Sequence, residues 1–243
     1  MMKFDKEHEL LIIPDVHGRP FWREPVERGD YAHVVFLGDY CDPYPREGIY
    51  EEEALQMFQE VVDFASSHAS TTTLLLGNHD LHYVSKVFQK AACGSRYSYL
   101  MEEYICEIYE AHKDLFLLAM EAEYEGIRVL FTHAGVSPVW AHEHHGLLGE
   151  VTADNLNALG QTDQGMRALA DVGWARGGWA KAGGPFWADY SEVAITEHLE
   201  SIYQIFGHTQ NYEGIPLITR YLACLDCHRA FRLGDVLKEA GVL

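Results

Sequence analysis

Positive charge is what this 243-residue sequence has least of: 18 lysines and arginines stand against 37 aspartates and glutamates, a formal net charge of -19. A surface of that sign repels polyanions at long range, which argues against an extended nucleic-acid footprint. No apolar run approaches the roughly 18 residues that a membrane helix needs, and the opening Met1-Met2-Lys3-Phe4-Asp5-Lys6-Glu7-His8-Glu9 is too charged for a secretory signal. A cytoplasmic protein with no membrane partner is the expectation. Tracts rich in proline, serine or one sign of charge, the marks of linkers and disordered tails, are also missing. The length is therefore read as one domain, residues 1–243.

Cysteine is scarce and odd in number. The five thiols, Cys41, Cys93, Cys106, Cys224 and Cys227, form no paired framework, which suits a reducing compartment better than a disulfide scaffold. Cys224-Leu225-Asp226-Cys227-His228 matches the short pattern for covalent haem attachment, but that chemistry needs export and no export signal is present. A structural zinc site would require a second ligand pair that the other cysteines do not supply. A strand with two buried thiols is the reading that remains.

What the chain has in quantity is short β-rich runs that end in polar clusters. Leu10 to Ile13 runs into Pro14-Asp15-Val16-His17-Gly18, Val34 to Leu37 into Gly38-Asp39, and Thr73 to Leu76 into Gly77-Asn78-His79-Asp80. Ile127 to Phe131 leads to Thr132-His133-Ala134-Gly135, and Ile202 to Phe206 to Gly207-His208-Thr209. Such β-rich, mostly apolar runs are buried strands. Between the second and third, Leu55, Phe58, Val62 and Ala65 recur at helical spacing behind the acidic start Glu51-Glu52-Glu53, so a helix connects them. A second helix is expected from Tyr99 to His112, with Leu100, Tyr104, Ile108 and His112 on its buried side. The layout is α/β, and short strands and turns from Pro216 to Arg232 point to a mixed or second sheet.

Two segments invite chemistry. His142-Glu143-His144-His145-Gly146 has metal-binding residue types, but adjacent histidines in a polar loop are usually solvated. The segment 174–187 is glycine-rich and carries Trp174, Trp179 and Trp187 beside Arg176 and Lys181. It reads either as an excursion that packs its indoles on the core or as a flap that stacks on a substrate ring.

The five strand ends carry the main signal. A pair of hard-to-borderline divalent cations needs carboxylate, imidazole and amide oxygen ligands from different elements, with one carboxylate shared. Asp15 and His17, one residue apart beyond a strand, can point the same way, and Asp39 is the natural bridge. Asn78 and His79 are adjacent and diverge, so that one can hold metal while the other faces substrate; His133 and His208 complete the set. Sites of α/β sheets lie at these carboxyl ends.

In order, Asp15-Val16-His17-Gly18, Gly38-Asp39-Tyr40-Cys41-Asp42, Gly77-Asn78-His79-Asp80, His133-Ala134-Gly135 and Gly207-His208-Thr209 resemble the motifs of the calcineurin-like metallophosphoesterases. Within that superfamily they are similar to the phosphoprotein-phosphatase-like branch of bacterial Ser/Thr phosphatases and diadenosine tetraphosphatases. The resemblance implies a four-layer sandwich of two packed mixed sheets flanked by helices, and two divalent ions drawn from manganese, iron, zinc or magnesium, manganese being favoured. It implies Asp15 and His17 on the first ion, Asp39 as the bridge, and Asn78, His133 and His208 on the second. His79 would be the general acid and Asp42 its partner, acting on a phosphorylated substrate.

One position departs from the branch, and another departs from the wider superfamily as the branch itself does. Its second motif continues Arg-Gly, the arginine holding phosphate, where this chain has Pro43-Tyr44; Arg46 and Arg176 are the candidates to replace it. The wider superfamily often ends Gly-His-x-His, where this chain has Gln210, so the first ion has fewer protein ligands. The leading expectation is hydrolysis of a phosphate monoester. A dinucleoside polyphosphate hydrolase and a non-catalytic metal-binding scaffold are the alternatives.

Overall fold

The computed structural model describes residues 1–91, 95–195, 198–211 and 213–243. Cys93 lies outside the described residues. Eleven strands run in chain order among them: β1 Met2–Phe4, β2 Leu10–Ile13, β3 His33–Phe36, β4 Thr72–Leu75, β5 Phe116–Leu117, β6 Ala119–Tyr124, β7 Ile127–Thr132, β8 Tyr203–Phe206, β9 Leu217–Ile218, β10 Leu222–Cys224 and β11 Phe231–Arg232. They form a six-stranded sheet of order β1-β6-β7-β8-β10-β9 and a five-stranded sheet of order β11-β2-β3-β4-β5. Both are mixed. In the smaller sheet β2 to β5 are parallel and β11 is antiparallel to β2; in the larger, β7, β8 and β10 are parallel and β6 runs against β7.

The strand period of two builds the layers. Leu10, Ile12, Val35 and Leu37 of the small sheet meet Met120, Ala122, Val129, Phe131 and Ile205 of the large one in a single apolar cluster. Their neighbours Leu11, Ile13, Val34 and Phe36 turn the other way, onto Phe58, Val61 and Val62 of the helix Glu51–Ser67. The large sheet's outer face is covered likewise, Leu130 joining Leu156 and Leu159 of the helix Ala153–Leu159. The order is helix, sheet, sheet, helix. Each large side chain buried there contributes about 1.5–3 kcal/mol.

The helix Glu51–Ser67 begins where expected, and Glu53 accepts the Tyr50 backbone N–H at 2.8 Å. The other predicted helix is shorter, Glu102–His112, and its buried face is turned by one position. Ile105 is buried and Met101, Ile108 and Tyr109 pack beside it, whereas Leu100 is 77% and Tyr104 54% exposed. Apolar residues at 100, 101, 104, 105, 108 and 109 offer two overlapping stripes, and periodicity alone does not choose between them.

Parallel alignment is what makes a site possible. The carboxyl ends of β2, β3 and β4 share one edge of the small sheet, and those of β7, β8 and β10 one edge of the large sheet. The two edges meet: the His208 backbone N–H, beyond β8, donates to the Asp15 carboxylate, beyond β2, at 3.0 Å.

Candidate metal centre

Loop backbone at these ends places the polar side chains. The carbonyl of Asp39 accepts the N–H groups of Val16 and His17 at 3.0 and 2.7 Å, locking the β2 loop onto the β3 loop. Asp80 locks β3 to β4, its carboxylate accepting from the backbones of Asp39, Tyr40 and Gly77 at 2.7, 3.0 and 2.7 Å. The chain passes close behind the carboxylates at two glycines. A Cβ at Gly77 would lie 2.1 Å from Asp39 Oδ1, and one at Gly207 would lie 1.9 Å from Asp15 Oδ1. His17, Asp39, Asp42 and His208 all occupy positive φ, at 45, 54, 56 and 64°, a region side chains other than glycine enter at a cost.

The six ligand positions read from the strand ends come together. His17 donates its Nδ1–H to the Cys41 carbonyl at 2.8 Å, which leaves Nε2 as an acceptor 3.4 Å from Asp39 Oδ2. His133 is fixed in the same way by the Leu37 carbonyl at 2.9 Å, and its Nε2 faces Asn78 Oδ1 at 2.9 Å, His208 Nδ1 at 3.1 Å and Asp39 Oδ2 at 3.5 Å. Two clusters of ligand atoms result, Asp15–His17–Asp39 and Asp39–His133–His208, with Asp39 in both. Acceptor lone pairs pointed at one another repel unless a cation lies between them. Burial, then the charge of Asp15, pushes the Asp39 carboxyl well above the usual range, and burial, then Arg176 and His133, holds the His208 imidazole well below its own. Divalent ions would reverse the penalty on Asp39, and neutral histidines are the form that ligates, so the donor set fits the metal pair.

A third cluster stands beside them. His79 Nδ1 donates to Asp42 Oδ2 at 2.7 Å, Tyr83 donates to Asp42 Oδ1 at 2.5 Å, and His82 Nε2 lies 2.7 Å from Oδ2 but off the hydrogen-bonding direction. Burial raises the Asp42 carboxyl, yet the hydrogen bond from His79 and the nearby His82 imidazole prevail and hold it at about 2. Burial takes His79 down to about 4 against the pull of Asp42.

The model of the calcineurin-like phosphoesterases matches residues 9–212, a span that holds every ligand position and the acid cluster. The chain belongs to the calcineurin-like phosphoesterase family. Among curated relatives, the serine/threonine-protein phosphatase 6 catalytic subunit of Drosophila melanogaster is 30% identical over 135 residues, covering 53% of this chain and 40% of the relative. This chain therefore matches less than half of that protein's length. A solved protein serine/threonine phosphatase of Saccharomyces cerevisiae, described as similar to human phosphatase PP5, aligns over 57% of this chain and 42% of its own, with a TM-score of 0.33 and 14% identity.

Several side chains of this phosphoesterase's site escaped the sequence reading. His82 was legible, being three residues beyond His79 on one helix, Asn78–Val84, and so on the same side. Asp226 follows the parallel strand β10 as the candidate ligands follow their strands; it is 1% exposed and its carboxylate has no hydrogen-bond partner. Arg96, whose Nη2 donates to His79 Nε2 at 3.2 Å, left no local signal. The two arginines singled out from sequence stand further out: Arg46 donates to Gln210 Oε1 at 2.8 Å, and Arg176 donates to Thr209 Oγ1 at 2.8 Å and pairs with Asp189 at 3.1 Å. Packing of all three indoles on the core is not observed. Trp187 alone packs there, edge-on to His208, while Trp174 is 67% and Trp179 95% exposed. His142 to His145 lie in and between short helices, outside every ligand cluster among the described residues, with His144 paired to Asp171 at 2.7 Å. Cys224 and Cys227 are buried free thiols.

Proposed function

We propose that this chain hydrolyses a phosphate monoester, with Asp15, His17 and Asp39 holding one divalent ion and Asp39, Asn78, His133 and His208 a second. The observation that carries the reading is the sharing of Asp39 between two ligand clusters, with an imidazole–carboxylate pair alongside. When bound, the ions supply Lewis acidity, lowering the pKa of a water from 15.7 to about 7 and neutralising charge on the phosphoryl oxygens. Water oxygen bonds to phosphorus as the ester oxygen leaves, and His79 Nε2 gives that oxygen its proton. Asp42, held by Tyr83, keeps the His79 ring oriented. The negative charge of the arriving phosphate opposes the effect of burial and raises the proton affinity of His79. One domain spanning residues 1–243, a cytoplasmic location and manganese as the favoured metal belong to the same reading. No helix among the described residues is long and apolar enough to cross a membrane.

Manganese-reconstituted protein should hydrolyse an aryl phosphate, and Asp39→Asn should abolish turnover while leaving the fold largely intact. Inertness of demonstrably loaded protein with every common divalent ion ends the reading, and an unchanged rate in the variant ends the bridging role. A non-catalytic scaffold would leave the His79–Asp42 pair without a task.

A dinucleoside polyphosphate substrate is the second reading, favoured by one arrangement. Trp174 and Trp179 are exposed on the segment that carries Arg176, and Arg176 bonds to Thr209 next to ligand His208, so a base stacked on an indole would lie near the metals. Turnover of such a nucleotide should exceed that of a phosphopeptide and fall in Trp179→Ala. Equal rates, or an unaffected variant, remove the motive for it.

A further inference from the structure

We propose that Arg96, carried on the ring of Tyr44, grips the phosphoryl oxygens of the substrate in place of the arginine absent at position 43; the inference rests on the phosphate-ester reading above. Arg96 Nη2 lies 3.2 Å from Nε2 of His79, the nitrogen that delivers the proton, and 3.5 Å from Nδ1 of His17, a ligand of the first ion. A phosphoryl group lying between metals and acid must come within reach of that guanidinium. Two contacts fix its plane. Nε donates to the Asp42 carbonyl at 3.0 Å, and the guanidinium carbon stands 3.6 Å from the centroid of the Tyr44 ring.

The other arginines near the site have their forks engaged. Arg19 is bidentate to Glu47 at 2.7 and 2.9 Å, Arg176 pairs with Asp189, and Arg46 donates to Gln210. Among the described residues no carboxylate forms an ion pair with Arg96, so its charge is open to an anion, and a planar fork suits two phosphoryl oxygens at once. The departure at Pro43-Tyr44 then has a physical sense: the second motif gives up a cation and presents, one residue later, an aromatic platform for a cation from another segment. Tyr44 is accordingly a positioning residue.

The test measures binding of inorganic phosphate by calorimetry to protein whose two metals have been counted, together with KM and kcat for an aryl phosphate. Arg96→Ala should weaken phosphate binding and raise KM by about ten- to a hundredfold with both metals retained. Arg96→Lys should recover part of this, Tyr44→Ala should fall between Arg96→Ala and the parent, and Tyr44→Phe, which keeps the ring, should recover most of the Tyr44→Ala loss. Metal-loaded Arg96→Ala that binds phosphate as tightly as the parent overturns the proposal, as does a loaded parent that binds no phosphate at millimolar concentration. Should Arg96→Ala fail to fold, Arg96→Gln and Tyr44→Ala give the same reading. A parent that binds phosphate through Arg96 but cleaves no ester upholds the grip and refutes the hydrolase.

Discussion

His33 shows how a single buried imidazole ties stability to pH at the end of β3 opposite Asp39. It sits in β3 with Nε2 against Thr73 Oγ1 at 2.9 Å, and burial takes its pKa from 6.5 to about 4. The unfolded chain therefore binds this proton more readily than the folded one. The stability lent by the neutral ring is complete above the ordinary pKa of about 6.5 and is lost as pH falls toward 4. Denaturant unfolding at pH 7 and pH 5 should show a loss of up to about 2 kcal/mol that is smaller in His33→Gln. An equal loss in both proteins removes His33 from the account. The candidate ligand positions could be read residue by residue because each lies within four residues beyond a strand, where side-chain direction is set by a local turn. Arg96 was not legible, since a residue's approach to a site from another segment is a tertiary fact without local pattern.

At the scale of elements, the strand-end loops are packed so closely that their small residues act on the ligands. Gly207 lies between β8 and His208, and a methyl there would collide with the Asp15 carboxylate from the facing sheet. Gly207→Ala should lower metal affinity by roughly ten- to a hundredfold, since positioning changes of this kind cost that much. Metal titration followed by elemental analysis checks this, and parental affinity would show that the loop simply yields. The five expected strands lie within one residue of their predicted starts, because short, mostly apolar runs of buried residues bounded by polar clusters leave little choice. The helix Glu102–His112 was located but turned, because two apolar stripes compete on it. The tryptophan segment was ambiguous for a related reason: exposure of an indole depends on what the loop folds over, here itself, with Gly178 N–H bonded to the Gly173 carbonyl at 3.0 Å.

For the molecule as a whole, the proposed metals would be ligated from both sheets, Asp15, His17, Asp39 and Asn78 from one edge and His133 and His208 from the other. Ions bound there would clamp two layers that otherwise meet through apolar contact and a few hydrogen bonds such as His208–Asp15 and His133–Leu37. At a hundredfold excess over its dissociation constant each ion should add about 2.7 kcal/mol, or roughly 5–10 °C in melting temperature for a chain of this size. Calorimetry with manganese and with a chelator measures it, and identical melting curves would deny the clamp. The two-sheet architecture was foreseen through the family resemblance; from apolar runs alone only an α/β layout with a mixed end was legible, since pairing across sheets leaves no short-range trace. The left-handed backbone at His17, Asp39, Asp42 and His208 has a consequence for anyone wishing to toughen this protein. Each is a coiled spring of about 1–3 kcal/mol held shut by its surroundings, and glycine at any of them would relax it. Durability gained there would be taken from the very groups proposed to touch metal or hold the acid, so heat resistance and the proposed turnover would pull in opposite directions along that rim.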